Sequence, residues 1–168
     1  VTAFNGNFLV VVRALTYILT LGADGIRDAA ENAVLNANYM MKRLEDIYDV
    51  AYPGTCTHEF VLSLERLKRD TGVSAMDVAK ALLDRGIHPP TMYFPLIVKE
   101  ALMIEPTETE SRETLDDAID ALREIYEIAH ADPDKLHESP RATPIRRPDE
   151  VAAARHPKLR YNWDGDNG

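Results

Sequence analysis

The side chains best placed for chemistry stand in the segment Gly86-Ile87-His88-Pro89-Pro90-Thr91-Met92-Tyr93-Phe94-Pro95. Pro89, Pro90 and Pro95 each fix φ and remove a backbone donor, so this connection is stiff and can hold side chains at a site. His88 can line a pocket there or make a hydrogen bond that holds the loop. The hydroxyls of Thr91 and Tyr93 carry the same two readings, since they can orient a substrate or satisfy neighbouring backbone. Asn5 and Asn7, in the opening Phe4-Asn5-Gly6-Asn7-Phe8, are further polar candidates.

Other polar patterns have simpler explanations. Glu105-Pro106-Thr107-Glu108 suggests a carboxylate pair, but Glu108 and Glu110 suit the start of a helix, where negative charge complements the dipole. The histidines at 58, 88, 130, 137 and 156 show no metal-ligand spacing. The chain has no phosphate-binding glycine loop, no Gly-x-Ser-x-Gly elbow and no dinucleotide fingerprint. The single Cys56 excludes an internal disulfide framework, fits a reducing compartment, and reads as a small buried or loop thiol.

The loop, together with Leu102-Met103-Ile104-Glu105-Pro106-Thr107-Glu108-Thr109-Glu110-Ser111 and the opening Phe4 to Phe8, resembles the C-terminal domain of glycine dehydrogenase (decarboxylating) subunit 2, the P-protein of the glycine cleavage system. The resemblance runs to the end of an acidic helix near His130. It implies an α+β fold, the small C-terminal domain of a fold-type-I enzyme dependent on pyridoxal phosphate (PLP). It also implies that the cofactor is held on a lysine of a large domain upstream, so that this chain is a fragment without catalytic residues and inactive alone. Asn5, Asn7, His88, Thr91 and Tyr93 then become lining residues of the substrate and cofactor pocket. The implied reaction decarboxylates glycine and passes the aminomethyl group to the lipoyl arm of H-protein, with glycine dehydrogenase subunit 1 as partner. None of Lys42, Lys68, Lys80, Lys99, Lys135 and Lys158 stands in the family's His-Lys context. A non-catalytic interaction or dimerisation module, and the small domain of another fold-type-I enzyme, remain as alternatives. Against an aminotransferase, the proline-rich loop has no arginine to clamp a carboxylate, and Arg85 and Arg112 fall at helix ends.

Composition agrees with one globular unit. The 168 residues are 45% apolar and 28% charged, with a formal net charge of −9. That balance disfavours a nucleic-acid surface, which needs clustered Lys and Arg. The run Phe8 to Leu21 is shorter than the roughly 20 residues of a spanning helix and carries Arg13, so no membrane span is expected. A cytoplasmic enzyme is the expectation.

The elements that must position the loop follow from periodicity. Residues 1–22 read as a helix buried on nearly all sides, packing toward a large domain that is missing here, with self-association if it is left exposed. Residues 23–131 read as the α+β small domain. Its first helix carries Ile26, Ala29, Ala30, Ala33, Val34, Ala37, Met41 and Leu44 at helical spacing, with Asp24 as N-cap. Pro53-Gly54 turns into a strand, Glu59 to Leu64, with Phe60, Leu62 and Leu64 on one face. Ser74-x-x-Asp77 opens a helix by a capping box, with Met76, Ala79, Leu82 and Leu83 apolar and Gly86 closing it. Ala101 to Ile104 is a second strand of a small antiparallel sheet covered on one side. Thr107 or Thr109 caps a long helix striped by Leu115, Ala118, Ile119, Leu122, Ile125, Tyr126 and Ala129. Residues 132–168 read as an extended tail over a neighbouring surface, with Tyr161 and Trp163 as anchors.

Overall fold

The structure, a computed structural model, describes residues 6–160 and 163. In chain order the elements are α1 (Phe8–Leu44), β1 (Asp49–Val50), β2 (Phe60–Ser63), α2 (Glu65–Thr71), α3 (Ala75–Leu83), β3 (Thr91–Met92), β4 (Ala101–Ile104), α4 (Arg112–Ala131), α5 (Asp134–His137) and α6 (Glu150–Arg155). The four strands form one antiparallel sheet in the order β1-β2-β4-β3. The expected α+β architecture, with a small antiparallel sheet and helices, is therefore the observed one.

Register decides which side of the sheet meets the helices. Phe60 pairs with Ile104 and Leu62 with Leu102, so these four side chains share a face, whereas Val61 pairs with Met103 on the other. The first face joins Met41, Leu44, Val78, Leu82, Ile119, Leu122 and Ile125 in one core. Leu62, Leu102 and Ile119 are fully buried, and burying a side chain of this size stabilises the fold by about 1.5–3 kcal/mol. Tyr48 places its ring edge against Tyr126, at 5.3 Å between centroids, and donates its hydroxyl to the Leu122 carbonyl at 2.9 Å. Burial pushes the Tyr48 hydroxyl pKa far up, which keeps it a neutral donor.

Caps explain most helix boundaries. Ser74 accepts from the Asp77 N–H while Asp77 accepts from the Ser74 N–H, the expected capping box. At the far end of α3 the N–H groups of Gly86 and Ile87 reach the carbonyls of Leu83 and Leu82 at 3.0 and 3.1 Å. Gly86, at φ +72, supplies the left-handed residue that this closure requires. The buried apolar residues of α3 are Ala75, Val78, Ala79, Ala81 and Leu82, while Met76 and Leu83 are only half-buried. On α4 the cap is Ser111, which accepts from the Thr114 N–H, rather than Thr107 or Thr109. Those two threonines bond each other through their hydroxyls at 2.8 Å, inside a turn where Thr107 takes φ +65.

Residues 8–44 hold two helices that meet at a kink, where the sequence reading divides them. Gly22, at φ +66, ψ −172, is not helical and separates the two halves of α1. Asp24 makes no capping bond to a described residue, and Asn7 is the N-cap of the first half, its side chain accepting from Val10. By length and composition alone α1 could cross a membrane, with a mean hydropathy of 1.6 over its most apolar window, and none of that window is buried. Phe8, Leu9 and Leu19 are 73–75% exposed in this chain. Only the last turns of α1, at Ala37, Met40, Met41 and Leu44, enter the core.

The stretch expected to run extended beyond Ala131 contains α5 and α6; as far as Arg147 it turns back onto the domain, while α6 is exposed throughout. Leu136 and Pro140 are buried, because Arg147 ties this stretch to Asp77 on α3 at 2.7 Å. Tyr161 lies outside the described residues, and Trp163 is exposed.

Candidate functional site

Two grooves open beside the sheet. The larger, about 1040 Å³, runs between α4 and the proline-rich segment, and His88, Pro89, Pro90 and Thr91 form one wall. Leu82, Ile104, Leu115 and Leu122 lie along its floor, and Glu110, Asp117, Asp120 and Glu124 ring its rim. The smaller, about 440 Å³, lies between α1 and the exit of β4, lined by Tyr17, Ile26, Val34, His58 and Glu108. Glu105 and Thr107 face both grooves, so the two spaces meet where β4 ends.

The wall is positioned from both ends. Gly86 launches it from α3, and the Tyr93 N–H anchors it to the Ala101 carbonyl at 2.8 Å. Thr91 and Met92 pair with Met103 and Leu102 at the sheet edge. Of the sequence candidates, His88 and Thr91 therefore come together on the groove. Tyr93 turns away at φ +56, leading to the exposed apolar tip of Phe94, Leu96 and Ile97, and it does not line the groove. Asn7 sits at the start of α1 as its cap and lines neither groove. Asn5 lies outside the described residues.

The side chains of His88, Thr91 and Tyr93 make no hydrogen bond to any described residue. The loop is held by its prolines, Gly86 and backbone pairing, so a loop-holding bond from His88 is not among the contacts that fix it. No lysine lines either groove. Lys68 pairs with Glu100, and Lys99 pairs with Glu65 at 2.7 Å. The hydrogen bond to its carboxylate raises each of these two ammonium pKa values, which opposes the free amine that a covalent carrier of a carbonyl group requires. Lys42 and Lys135 also pair with carboxylates on their own turns. Cys56 is fixed by its backbone to Asn38 and its thiol pKa is raised by burial, so it is no ready nucleophile.

Sequence reasoning missed one cluster. His58, Glu59 and Glu105 bring one ligand atom each within 4.8 Å of one another, with His58 Nε2 3.9 Å from Glu105 Oε1. The pairing of Phe60 with Ile104 carries the residues just before β2 opposite those just after β4. Strand pairing between segments so far apart has no local signal, although His58-Glu59 before one strand and Glu105 after the other were the available hint. The Tyr17 hydroxyl donates to Glu108 at 3.3 Å, and Asn36 donates to the carbonyls of Thr107 and Glu110. Both halves of α1 thus touch the turn after β4. Burial first, and then the Glu108 carboxylate, raise the Tyr17 pKa.

The profile of the family described as "Glycine dehydrogenase, C-terminal domain" matches residues 29–144. A probable glycine dehydrogenase (decarboxylating) subunit 2 from Treponema denticola is 60% identical over 158 residues, covering 94% of this chain and 33% of the relative. Its counterpart from Thermosipho africanus is 53% identical over 164 residues, covering 98% of this chain and 34% of the relative. The chain therefore spans about a third of the length of these relatives. Among solved structures, the glycine decarboxylase (P-protein) of the glycine cleavage system in inhibitor-bound form superposes with a TM-score of 0.62 at 24% identity, over 74% of this chain and 28% of that one. At that identity the superposition speaks to the fold.

Proposed function

The chain belongs to the glycine dehydrogenase C-terminal domain family, and on that premise we propose that it is the pocket-shaping C-terminal part of a PLP-dependent glycine decarboxylase of the glycine cleavage system. In this reading the complete enzyme releases the carboxyl carbon of glycine as carbon dioxide and hands the aminomethyl group to the lipoyl arm of H-protein. Subunit 1 is the partner subunit, and the compartment is the cytoplasm.

The observation that carries this division of labour is the chemistry of the grooves. They present a histidine, hydroxyls and carboxylates that can bind and orient, and no lysine. The residues of this chain do not fit the role of holding PLP, so no step is assigned to the cofactor here. His88 and Thr91 wall the space in which substrate sits, and Tyr93 anchors the far end of that wall through its backbone. In the complete enzyme, Asn5 and Asn7 are counted with the pocket lining. The apolar surface from Phe8 to Leu21 packs on that remainder, so residues 1–22 belong functionally with it and residues 23–131 form the small domain.

The test is release of labelled carbon dioxide from carboxyl-labelled glycine by the full-length protein, with subunit 1, lipoylated H-protein and PLP. Turnover that depends on glycine and on H-protein supports the reading. No release with all components present, under conditions in which a known glycine decarboxylase works, rejects it.

A further inference from the structure

The stretch after α4 grips both ends of α3. At the N-terminal end, the Asp77 carboxylate, 8% exposed, accepts from the Ser74 N–H and hydroxyl at 2.8 and 2.6 Å and holds an Arg147 guanidinium nitrogen at 2.7 Å. The same Arg147 side chain donates to the Ser139 and Leu136 carbonyls at 2.6 and 3.0 Å. One residue therefore fixes the fold of the stretch and ties it to the helix. At the C-terminal end, Asp84 Oδ1 accepts from the backbone N–H groups of Arg141 and Ala142 at 2.5 and 2.7 Å. Leu136 and Pro140 are buried between these two grips.

The second grip lies two residues before Gly86, where the groove wall begins. Arg85, between them, donates to the Ala81 carbonyl at 3.1 Å and pairs with Glu124 on α4, the opposite side of the groove, at 3.0 Å. A shift of the end of α3 would carry His88 and Thr91 with it, because the prolines make the wall stiff. A terminal segment that served only to cover core would need neither a charged pair from a residue as distant as Arg147 nor two backbone donors aimed at one carboxylate oxygen.

We infer that residues 133–147 are a brace that sets the position of the His88–Thr91 wall, with Arg147 and Asp84 as positioning residues. The inference deepens the proposed function, since it takes the groove as the substrate-facing space. A small displacement of an orienting group lowers kcat/KM by up to about a hundredfold without removing any reacting atom.

Three variants of the full-length enzyme test this: Arg147→Met, Asp84→Ala and Asp84→Asn. The asparagine keeps an oxygen that can accept both backbone N–H groups, whereas the alanine keeps none. Hydrogen exchange at the Gly86, Ile87 and Tyr93 amides reads the position of the wall directly, and steady-state kinetics with glycine read its use. Arg147→Met and Asp84→Ala should speed exchange at those amides about tenfold and lower kcat/KM at least tenfold, mainly through KM. Asp84→Asn should restore both readouts to near wild type. Faster exchange confined to 136–142, with wild-type protection at 86–93 and unchanged KM, would overturn the brace. If Arg147→Met fails to fold, the two Asp84 variants carry the same decision. If the wild-type enzyme does not turn over glycine, the function proposed above falls, while the exchange comparison still decides the brace.

Discussion

Replacing His88 with alanine separates a histidine that meets a ligand from one that holds a loop. The ring is exposed and makes no hydrogen bond to any described residue, while the loop around it is fixed by Pro89, Pro90, Gly86 at φ +72 and the Tyr93 to Ala101 backbone bond at 2.8 Å. The substitution removes only solvent-facing atoms, so the folding free energy should change by less than about 0.5 kcal/mol. In a chain of this size that is about 1–2 °C in Tm. In the complete enzyme, a hydrogen bond from His88 to a charged substrate group is worth about 1.5–3 kcal/mol, or roughly ten- to more than a hundredfold in kcat/KM. Thermal denaturation of the chain and carbon dioxide release by the complete enzyme measure the two effects separately. Wild-type kinetics with an unchanged Tm would remove His88 from the pocket, and a stability loss above about 1 kcal/mol would give the ring the structural role instead.

Leu62→Ala, at a fully buried position, should lower stability by about 2–5 kcal/mol in urea denaturation, whereas Leu96→Ser, at 87% exposure, should leave this chain within about 0.5 kcal/mol of wild type. Ser111→Ala should cost about 1 kcal/mol through lost capping of α4, and Thr109→Ala much less, which circular dichroism melts would resolve. For Asp77, burial pushes the carboxyl pKa up, but the bonds from Ser74 and the Arg147 guanidinium outweigh it and hold it below the usual value. A folded pKa below the unfolded one means stability that is present above the unfolded value and lost as pH falls through the folded one. Urea midpoints should therefore drop below about pH 4, and less steeply in Asp77→Asn. Leu15→Gln combined with Leu19→Gln should shift the chain toward monomer in sedimentation velocity, since both side chains are at least half-exposed on α1.

Much of the fold was legible because its signals are local. The Ser74–Asp77 capping box, the Gly86 closure, the α4 stripe and the strands at Phe60 and Ala101 each lie within a few residues of sequence and stand as read. The misreadings arise where distant contacts decide. Thr107 looked like a cap, but Asn36 of α1 holds its carbonyl in the turn after β4, which passes the capping role to Ser111. Gly22 read as a break and is one, at φ +66, ψ −172, but Asp24 beyond it makes no capping bond to a described residue. The two-residue strands β1 and β3 are too short to alternate visibly. The grip of Arg147 on Asp77 joins residues whose local sequence carries no sign of the other, so the terminal stretch read as an extended tail. The groove was legible only as a stiff loop with a histidine, and its opposite wall, α4, became part of the site through tertiary packing alone.

The central claim, that this domain shapes a PLP enzyme's pocket without carrying the cofactor, is tested most directly by trapping the cofactor. The full-length protein is incubated with PLP and reduced with borohydride, and the modified lysine is mapped by mass spectrometry. A pyridoxyl-lysine outside residues 1–168, with Lys42, Lys68, Lys80, Lys99, Lys135 and Lys158 unmodified, is the predicted result. An adduct on any of those six, or none anywhere in a folded protein, would contradict it.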